Sequence, residues 1–348
     1  VGGMGVLVFL LAIAPSKGNE QGFTMHLLRA ESPGPSVGKL VPKMRKTAAI
    51  LYFLYIILTV LDILFLIVGG MPVFDAVCTS FGTAGTGGFG IKNDSIASYS
   101  PYLQNVTTVF MLLFGVNFSC YYLLTQRQIK NVLKDEELRL YVLIVLGSIG
   151  LVVWNLGDFY PTLEETVRHA AFQVSSIITT TGFATTDFDL WPSFSRTILL
   201  CLMVIGACAG STGGGLKVAR VLLLFKSLKR NIAQMLHPRK VQVIRNNGGV
   251  VSERIVANTN AYLCAYVVLM FGSFVLISLD GYSVGTNFSA VLSCLNNIGP
   301  GLELAGPTCN FSIFSTFSKL VLILDMLLGR LEIFPILVLF SPDTWKNA

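Results

Sequence analysis

The chain has 348 residues, 53% of them hydrophobic and 13% charged, with a mean hydropathy of +0.68 and a formal net charge of +6. Soluble domains carry about 25% charged residues, so a charge content near half that share excludes the ordinary soluble class. Apolar runs close to the roughly 20 residues that a helix needs to cross the hydrocarbon core make the chain an all-α polytopic membrane protein. The seven cysteines (78, 120, 201, 208, 264, 294 and 309) are odd in number, lie mostly in apolar runs and lack C-x-x-C spacing. Neither a disulfide framework nor a zinc site is expected from them.

In chain order, residues 6–14 form an apolar run with no basic region before it, which reads as the tail of a spanning helix rather than a signal peptide. Its upstream partners are expected to precede Val1, which makes the chain an N-terminally truncated fragment. Residues 15–46 are polar and basic, and Pro15, Pro33, Pro35 and Pro42 break any long helix. A span at 47–68 follows, then Gly69-Gly70-Met71-Pro72, a short amphipathic helix at 73–81 and a glycine run at 82–90. A second span is expected at 105–124 and a charged loop at 125–139.

The order then recurs. Residues 140–156 span, 163–178 form the short helix and 179–187 the glycine-threonine run, Thr179-Thr180-Thr181-Gly182-Phe183-Ala184-Thr185-Thr186-Asp187. The next span, 197–225, is interrupted by Gly210-Ser211-Thr212-Gly213-Gly214-Gly215, and 226–252 is the longest basic loop. A third pass has a span at 253–279, a short helix at 287–295, the loop Asn296-Asn297-Ile298-Gly299-Pro300-Gly301-Leu302 and a closing span at 317–340. The unit of span, half-helix, glycine loop and span is thus found three times, with Gly88, Gly182 and Gly299 spaced 94 and 117 residues apart. Repetition of this kind points to symmetry about an axis, with the site where the repeats meet at discontinuous helices.

Orientation follows from the basic residues. Segments 15–46, 125–139 and 226–254 hold 17 of the 25 Lys and Arg, whereas the segments bearing the glycine loops hold only Lys92, Arg168 and Arg196. The basic loops are expected in the cytoplasm and the glycine loops on the outside.

Several stretches carry a family likeness: Thr86-Gly87-Gly88-Phe89, Thr179 to Thr186, Ala207-Cys208-Ala209-Gly210-Ser211-Thr212-Gly213-Gly214-Gly215-Leu216-Lys217, Leu295 to Leu302, and Gly329-Arg330-Leu331-Glu332. In wording and order the chain resembles the Trk/Ktr/HKT superfamily of potassium transporters, most closely the bacterial Trk-type membrane (pore) subunit. The resemblance implies four membrane helix–pore helix–membrane helix units around a pseudo-fourfold pore. Residues 1–46 would hold the end of the first unit and a cytoplasmic loop, 47–139 the second unit, 140–252 the third and 253–348 the fourth. It further implies the bacterial inner membrane, a homodimer, and a cytosolic nucleotide-binding regulatory subunit of the TrkA/KtrA kind (NAD/ATP-type). Membrane lipids are expected partners and nucleic acid is not. No cofactor is expected beyond K+ as the transported ion.

Taken from the residues alone, each glycine loop is either a tight re-entrant turn or a row of backbone carbonyls lining a path, since irregular backbone at membrane depth is tolerated only when buried or beside water. Three in matched order favour the path. The resemblance implies that carbonyls around Thr86, Gly87, Gly88 and Phe89, around Thr180, Thr181, Gly182 and Phe183, and around Asn297, Ile298, Gly299 and Pro300 form a K+ filter, replacing the ion's hydration shell.

The run Gly210 to Gly215 places four glycines among six residues, each costing about 1 kcal/mol in a helix, so the span must break. It is not a phosphate loop, which needs G-x-x-x-x-G-K-[ST] after a strand; here Gly215 is followed by Leu216-Lys217-Val218. The resemblance implies an intramembrane gate, and the alternative is a packing kink. Arg330 within a span either faces the path as a barrier, as the resemblance implies, or pairs with Glu332, Asp325 or a loop carboxylate, or snorkels. Asp62 has no assigned role. Trp154, Trp191 and Tyr160 read as interfacial anchors, and the basic loop 226–245 as a surface for anionic lipid or for the regulatory subunit. The N-x-[ST] sequons at Asn93, Asn105, Asn287 and Asn310 are weak signals, and His26, His169 and His237 lack ligand spacing. A secondary carrier coupled to Na+ or H+ is the alternative function. It would need midplane carboxylates, for which Asp62, Asp325 and Glu332 are the candidates. Enzyme chemistry is not expected.

Overall fold

The computed structural model describes residues 44–157, 159–237, 242–331 and 333–334, with side chains from residue 49. The expected first-unit helix, the loop up to residue 43, Glu332 and the end of the closing span lie outside the described residues. The elements are α1 (Met44–Val68), α2 (Val73–Ala84), α3 (Pro101–Phe114), α4 (Phe118–Thr125), α5 (Ile129–Lys134), α6 (Glu136–Leu156), α7 (Leu163–Ile178), α8 (Ser193–Ile205), α9 (Val218–Leu236), α10 (Glu253–Ile277), α11 (Val284–Leu295) and α12 (Thr316–Arg330). A two-residue hairpin, β1 (Arg245–Asn246) with β2 (Gly249–Val250), joins α9 to α10.

Among the described residues, three helices are long and apolar enough to cross a membrane: Ala49–Val68, Glu136–Leu156 and Glu253–Asp280. Their outward faces are hydrocarbon, with Phe53, Val60 and Leu64 on α1, Leu143 and Leu146 on α6, and Val268, Phe271 and Val275 on α10 all exposed. Helix starts follow the sequence. Ser100 caps α3 ahead of Pro101, Asp135 accepts the Leu138 amide at 2.8 Å, and Thr162, Ser283 and Ser315 cap α7, α11 and α12. Each satisfies an amide that the first turn would otherwise leave unpaired.

The half-helices α2, α7 and α11 have 12, 16 and 12 residues. At 1.5 Å per residue they run about 18 to 24 Å and end short of a full crossing. Two of them, α7 and α11, are the most enclosed helices among the described residues. The last turns of α7 and all of α11 from Ser289 onward are buried, and α7 is packed by α3, α6 and α8.

The structure corrects several expected boundaries. The span expected at 105–124 is two helices, α3 and α4, bent by 89° at Gly115-Val116-Asn117. One glycine in an apolar run gave no warning, and the break is held by tertiary bonds described below. The break in the third unit begins at Gly206, where α8 ends with φ +74°, four residues before the glycine run. The half-helices expected at 73–81 and 287–295 extend to Ala84 and start at Val284. Trp191 is buried, with its Nε1 donating to the Tyr160 hydroxyl at 3.0 Å, so it is a core residue and not an interfacial anchor. Trp154 is exposed, as expected.

Candidate functional site

The three glycine loops share one backbone pattern. Immediately past each half-helix the φ angle is positive at alternate residues: Thr86 (+50°) and Gly88 (+64°), Thr180 (+56°) and Gly182 (+87°), Asn297 (+56°) and Gly299 (+112°). The amides are tied back identically. Gly87, Thr181 and Ile298 donate to the carbonyls five residues earlier (Gly82, Ser176 and Ser293) at 2.8, 2.9 and 2.9 Å. Thr86, Thr180 and Asn297 donate to the carbonyls three residues earlier.

The carbonyls are treated differently. Among the described residues no donor reaches the carbonyl oxygens of Thr86, Gly87, Gly88, Thr180, Thr181, Gly182, Asn297 or Ile298. Thr86, Thr180, Thr181 and Ile298 are buried, and buried backbone acceptors are normally paired, so their unpaired carbonyls, spread over three equivalent loops, call for a partner other than protein. Those of Phe183 and Gly299 do have donors, the hydroxyls of Ser176 at 2.6 Å and Ser293 at 2.7 Å.

The loops lie side by side. A Cβ on Gly88 would collide with the Thr181 carbonyl, and one on Gly182 with the Ile298 carbonyl. At Gly182 the positive φ and this approach both require glycine. Phe183 is fully buried with Ile96, Met111 and Phe172, which wedges the second loop in place. Phe89, its counterpart in sequence, is 84% exposed and makes no such wedge, and Pro300 is half-buried against Gly182.

The segment 206–217 crosses against all three loops. The Thr212 carbonyl accepts from Thr86 Oγ1 at 3.1 Å, Gly213 sits 2.9 Å (from an ideal Cβ) from the Thr179 carbonyl, and the Gly214 amide donates to Thr180 Oγ1 at 2.6 Å. Any side chain at Gly214 would also meet the Asn296 carbonyl. Three consecutive residues thus touch all three loops between them, Thr212 the first, Gly213 the second and Gly214 the second and third. Arg330, half-buried at the end of α12, donates from Nη1 to the same Thr212 carbonyl at 3.3 Å.

The segment is anchored by residues that sequence reading left without a role. The Ala209 amide donates to Glu137 Oε1 at 2.5 Å. Lys217, fully buried at φ +73°, donates from Nζ to the Gly213 carbonyl. Cys208 and Thr212 amides donate to the Gly115 and Phe114 carbonyls, and the Phe118 amide donates to Gly210, so the breaks of two units knit together. Gly210 and Ser211 thereby lie against the α3–α4 bend, while Gly215 packs on Gly206.

Acidic residues join the segments that follow the loops after α7 and α11. Asp189 Oδ1 accepts the Glu303 amide at 3.0 Å and Asp187 Oδ2 the Thr308 hydroxyl at 3.1 Å. The Ser283 hydroxyl, with help from Thr286, holds the Glu303 carboxyl below the usual carboxylate range. Asp62 is fully buried on α1, and no described donor reaches either of its oxygens, while Asp325 Oδ1 accepts from Ser273 Oγ at 2.7 Å. Among the described residues no group of three or more His, Cys, Asp or Glu gathers as a metal site.

The family model described as TrkH, cation transport protein, matches residues 1–347. The chain belongs to the TrkH family. It is 38% identical over 352 residues, 99% of this chain and 72% of the relative, to the Trk system potassium uptake protein TrkH of Salmonella typhimurium. It is 34% identical over 353 residues to the Trk system potassium uptake protein TrkG of Escherichia coli, covering 100% of this chain and 71% of that one. Among solved structures, the potassium transporter TrkH from Vibrio parahaemolyticus superimposes with a TM-score of 0.82 at 33% identity, over 99% of this chain and 70% of that chain. The TrkH-family membership and the helical architecture agree with the fold expected from composition and repeats.

Proposed function

We propose that this chain conducts K+ across the membrane in potassium uptake, through a filter built from backbone carbonyls and gated by the segment 206–217. The observation that carries this reading is the set of eight carbonyls without a donor among the described residues, in three loops whose first two amides past each turn are tied back to their own half-helices. Alternating positive φ turns successive carbonyls toward a common side, and such rings substitute for water around a dehydrated cation. The half-helices end where the loops begin, so the negative ends of their dipoles add to the attraction for a cation.

Thr212, Gly213 and Gly214 lie across the loops and would obstruct an ion leaving the filter, with the Arg330 charge beside them. Inward flow would be driven by the membrane potential, at about 2.3 kcal/mol per charge per 100 mV. The units 47–139, 140–252 and 253–348 serve as three of the quarters around one axis. The basic loops face the cytoplasm, where a nucleotide-binding regulatory subunit engages them, and two copies of the membrane subunit form a homodimer. Conduction requires no reaction on a substrate.

The test is Gly182→Ala in the whole protein, expressed in cells lacking other K+ uptake. The substitution places a Cβ against the Ile298 carbonyl at a φ of +87°. The expected result is normal membrane insertion with K+-selective uptake lost. Unchanged uptake and unchanged preference for K+ over Na+ would overturn the filter assignment.

A further inference from the structure

Helix α9 lies outside the conduction path and presents three faces. One face, with Leu223 and Ser227, is buried in the protein. A second carries Phe225, Leu228, Ile232, Met235 and Leu236, all exposed, at the spacing of one helix stripe. The third carries Lys226, Lys229, Arg230 and Ala233. With 3.6 residues per turn the apolar and basic rows abut along the helix, meeting between Leu236 and Lys229.

The basic row lines a cavity of about 240 Å³, closed on the other side by Val243 and Arg245 before and within the β1–β2 hairpin. Four cations face this space. Lys226 is paired with Glu136, and Arg230 Nη1 lies 2.5 Å from Glu253 Oε1. Among the described residues no carboxylate pairs with Lys229 or Arg245, and the buried Nε of Arg230 has no hydrogen-bond acceptor. The cavity therefore keeps an excess of positive charge, in reach of an exposed hydrocarbon row.

We propose that this cavity binds the phosphodiester headgroup of an anionic glycerophospholipid, whose acyl chains lie along Phe225, Leu228 and Ile232. A basic amphipathic helix of this form rests in the plane of the headgroups with its apolar face in the acyl boundary. Each basic residue near an anionic surface adds about 1 kcal/mol of attraction. A free anion would use the cations and leave the apolar row unexplained, whereas a phospholipid uses both. The proposal rests on the orientation given above only in assigning the lipid to the cytoplasmic leaflet.

The experiment is native mass spectrometry of the whole protein after detergent delipidation, titrated with phosphatidylglycerol, phosphatidylcholine or inorganic phosphate. Wild-type protein is expected to retain phosphatidylglycerol at least tenfold better than phosphatidylcholine. Lys229→Gln with Arg245→Gln removes two charges without touching either ion pair, and should weaken that binding by about thirty-fold. Lys229→Arg with Arg245→Lys should restore it. Phe225→Ser with Ile232→Ser should weaken phosphatidylglycerol binding while leaving the basic cavity intact. Circular dichroism and a monodisperse elution profile confirm that each variant is folded. Equal binding of phosphatidylglycerol by wild type and the Gln pair would overturn the proposal. So would inorganic phosphate competing equally well with an apolar-row variant that binds like wild type. Loss of a co-purifying soluble protein in the Gln pair, with lipid preference unchanged, would likewise overturn it and assign the face to a protein partner.

Discussion

The Thr180 hydroxyl accepts the Gly214 amide hydrogen at 2.6 Å, so the loop that carries the unpaired carbonyls and the segment that crosses beneath them are joined by one buried hydrogen bond. Thr180 holds this position at φ +56°, a conformation that threonine rarely takes. The bond to Gly214 and the tie of its own amide to Ile177 support that conformation.

Thr180→Val keeps the side-chain shape and removes the acceptor. An orphaned buried amide costs about 1–3 kcal/mol, and that cost falls on the arrangement in which Gly214 lies against the loop after α7. Basal rubidium flux into proteoliposomes should rise by roughly tenfold, since about 1.4 kcal/mol corresponds to one decade. Thr180→Ser should keep the wild-type flux. A silent Thr180→Val would mean that this bond does not hold the segment in place.

Glu137 binds the other end of the segment through the Ala209 amide. Glu137→Ala removes the acceptor and leaves that amide buried and unpaired, a loss of about 1–3 kcal/mol. Glu137→Gln retains an acceptor oxygen. Thermal unfolding in detergent should show a clearly lowered midpoint for the alanine variant and a smaller change for glutamine. Equal destabilisation by both would assign the role to charge rather than to the hydrogen bond.

Gly329 brings α12 onto the end of α11, where any Cβ would collide with the Leu295 carbonyl. The same approach lets Asn297 Nδ2 donate to the Met326 carbonyl at 3.1 Å. Gly329→Ala must push the helix away, at the roughly 1–3 kcal/mol typical of overpacking. A lowered melting midpoint and reduced K+ uptake are expected, because Asn297 would lose its support. Wild-type values for both would show that α12 adjusts without disturbing the loop.

Glu303 supplies a pH dependence on the acid side. Its folded-state pKa lies below the ordinary value of 4.5, because the Ser283 and Thr286 donors favour the charged form. The stability this provides is fully present above the unfolded-state pKa and is lost as pH falls through the lower folded-state pKa. Wild-type protein should therefore lose more thermal stability than Glu303→Gln on acidification below about pH 4.5. Because Glu303 is exposed, the difference should be small and should shrink in high salt. Parallel pH profiles for the two proteins would remove Glu303 from this role.

Much of the architecture was legible in the chain itself. Composition required a membrane protein, the threefold order of long helix, half-helix and glycine loop located the repeats, and Gly88, Gly182 and Gly299 marked the backbone positions where φ is positive. These features follow from local rules: a helix must be about 20 apolar residues long to span, and strained backbone selects glycine. Other features depend on contacts between distant segments. Thr86, Thr180 and Asn297 carry ordinary side chains for a loop, and their positive φ is set by neighbours outside their own sequence. Nothing in the apolar run around Gly115 announces the 89° bend between α3 and α4. That bend exists because the carbonyls of Phe114 and Gly115 accept amides of Thr212 and Cys208, nearly a hundred residues away. Thr179 to Asp187 could be read from sequence as one loop of a cation path. That Thr212, Gly213 and Gly214 together meet all three glycine loops was decided only by the tertiary structure, because these contacts join segments far apart in the chain.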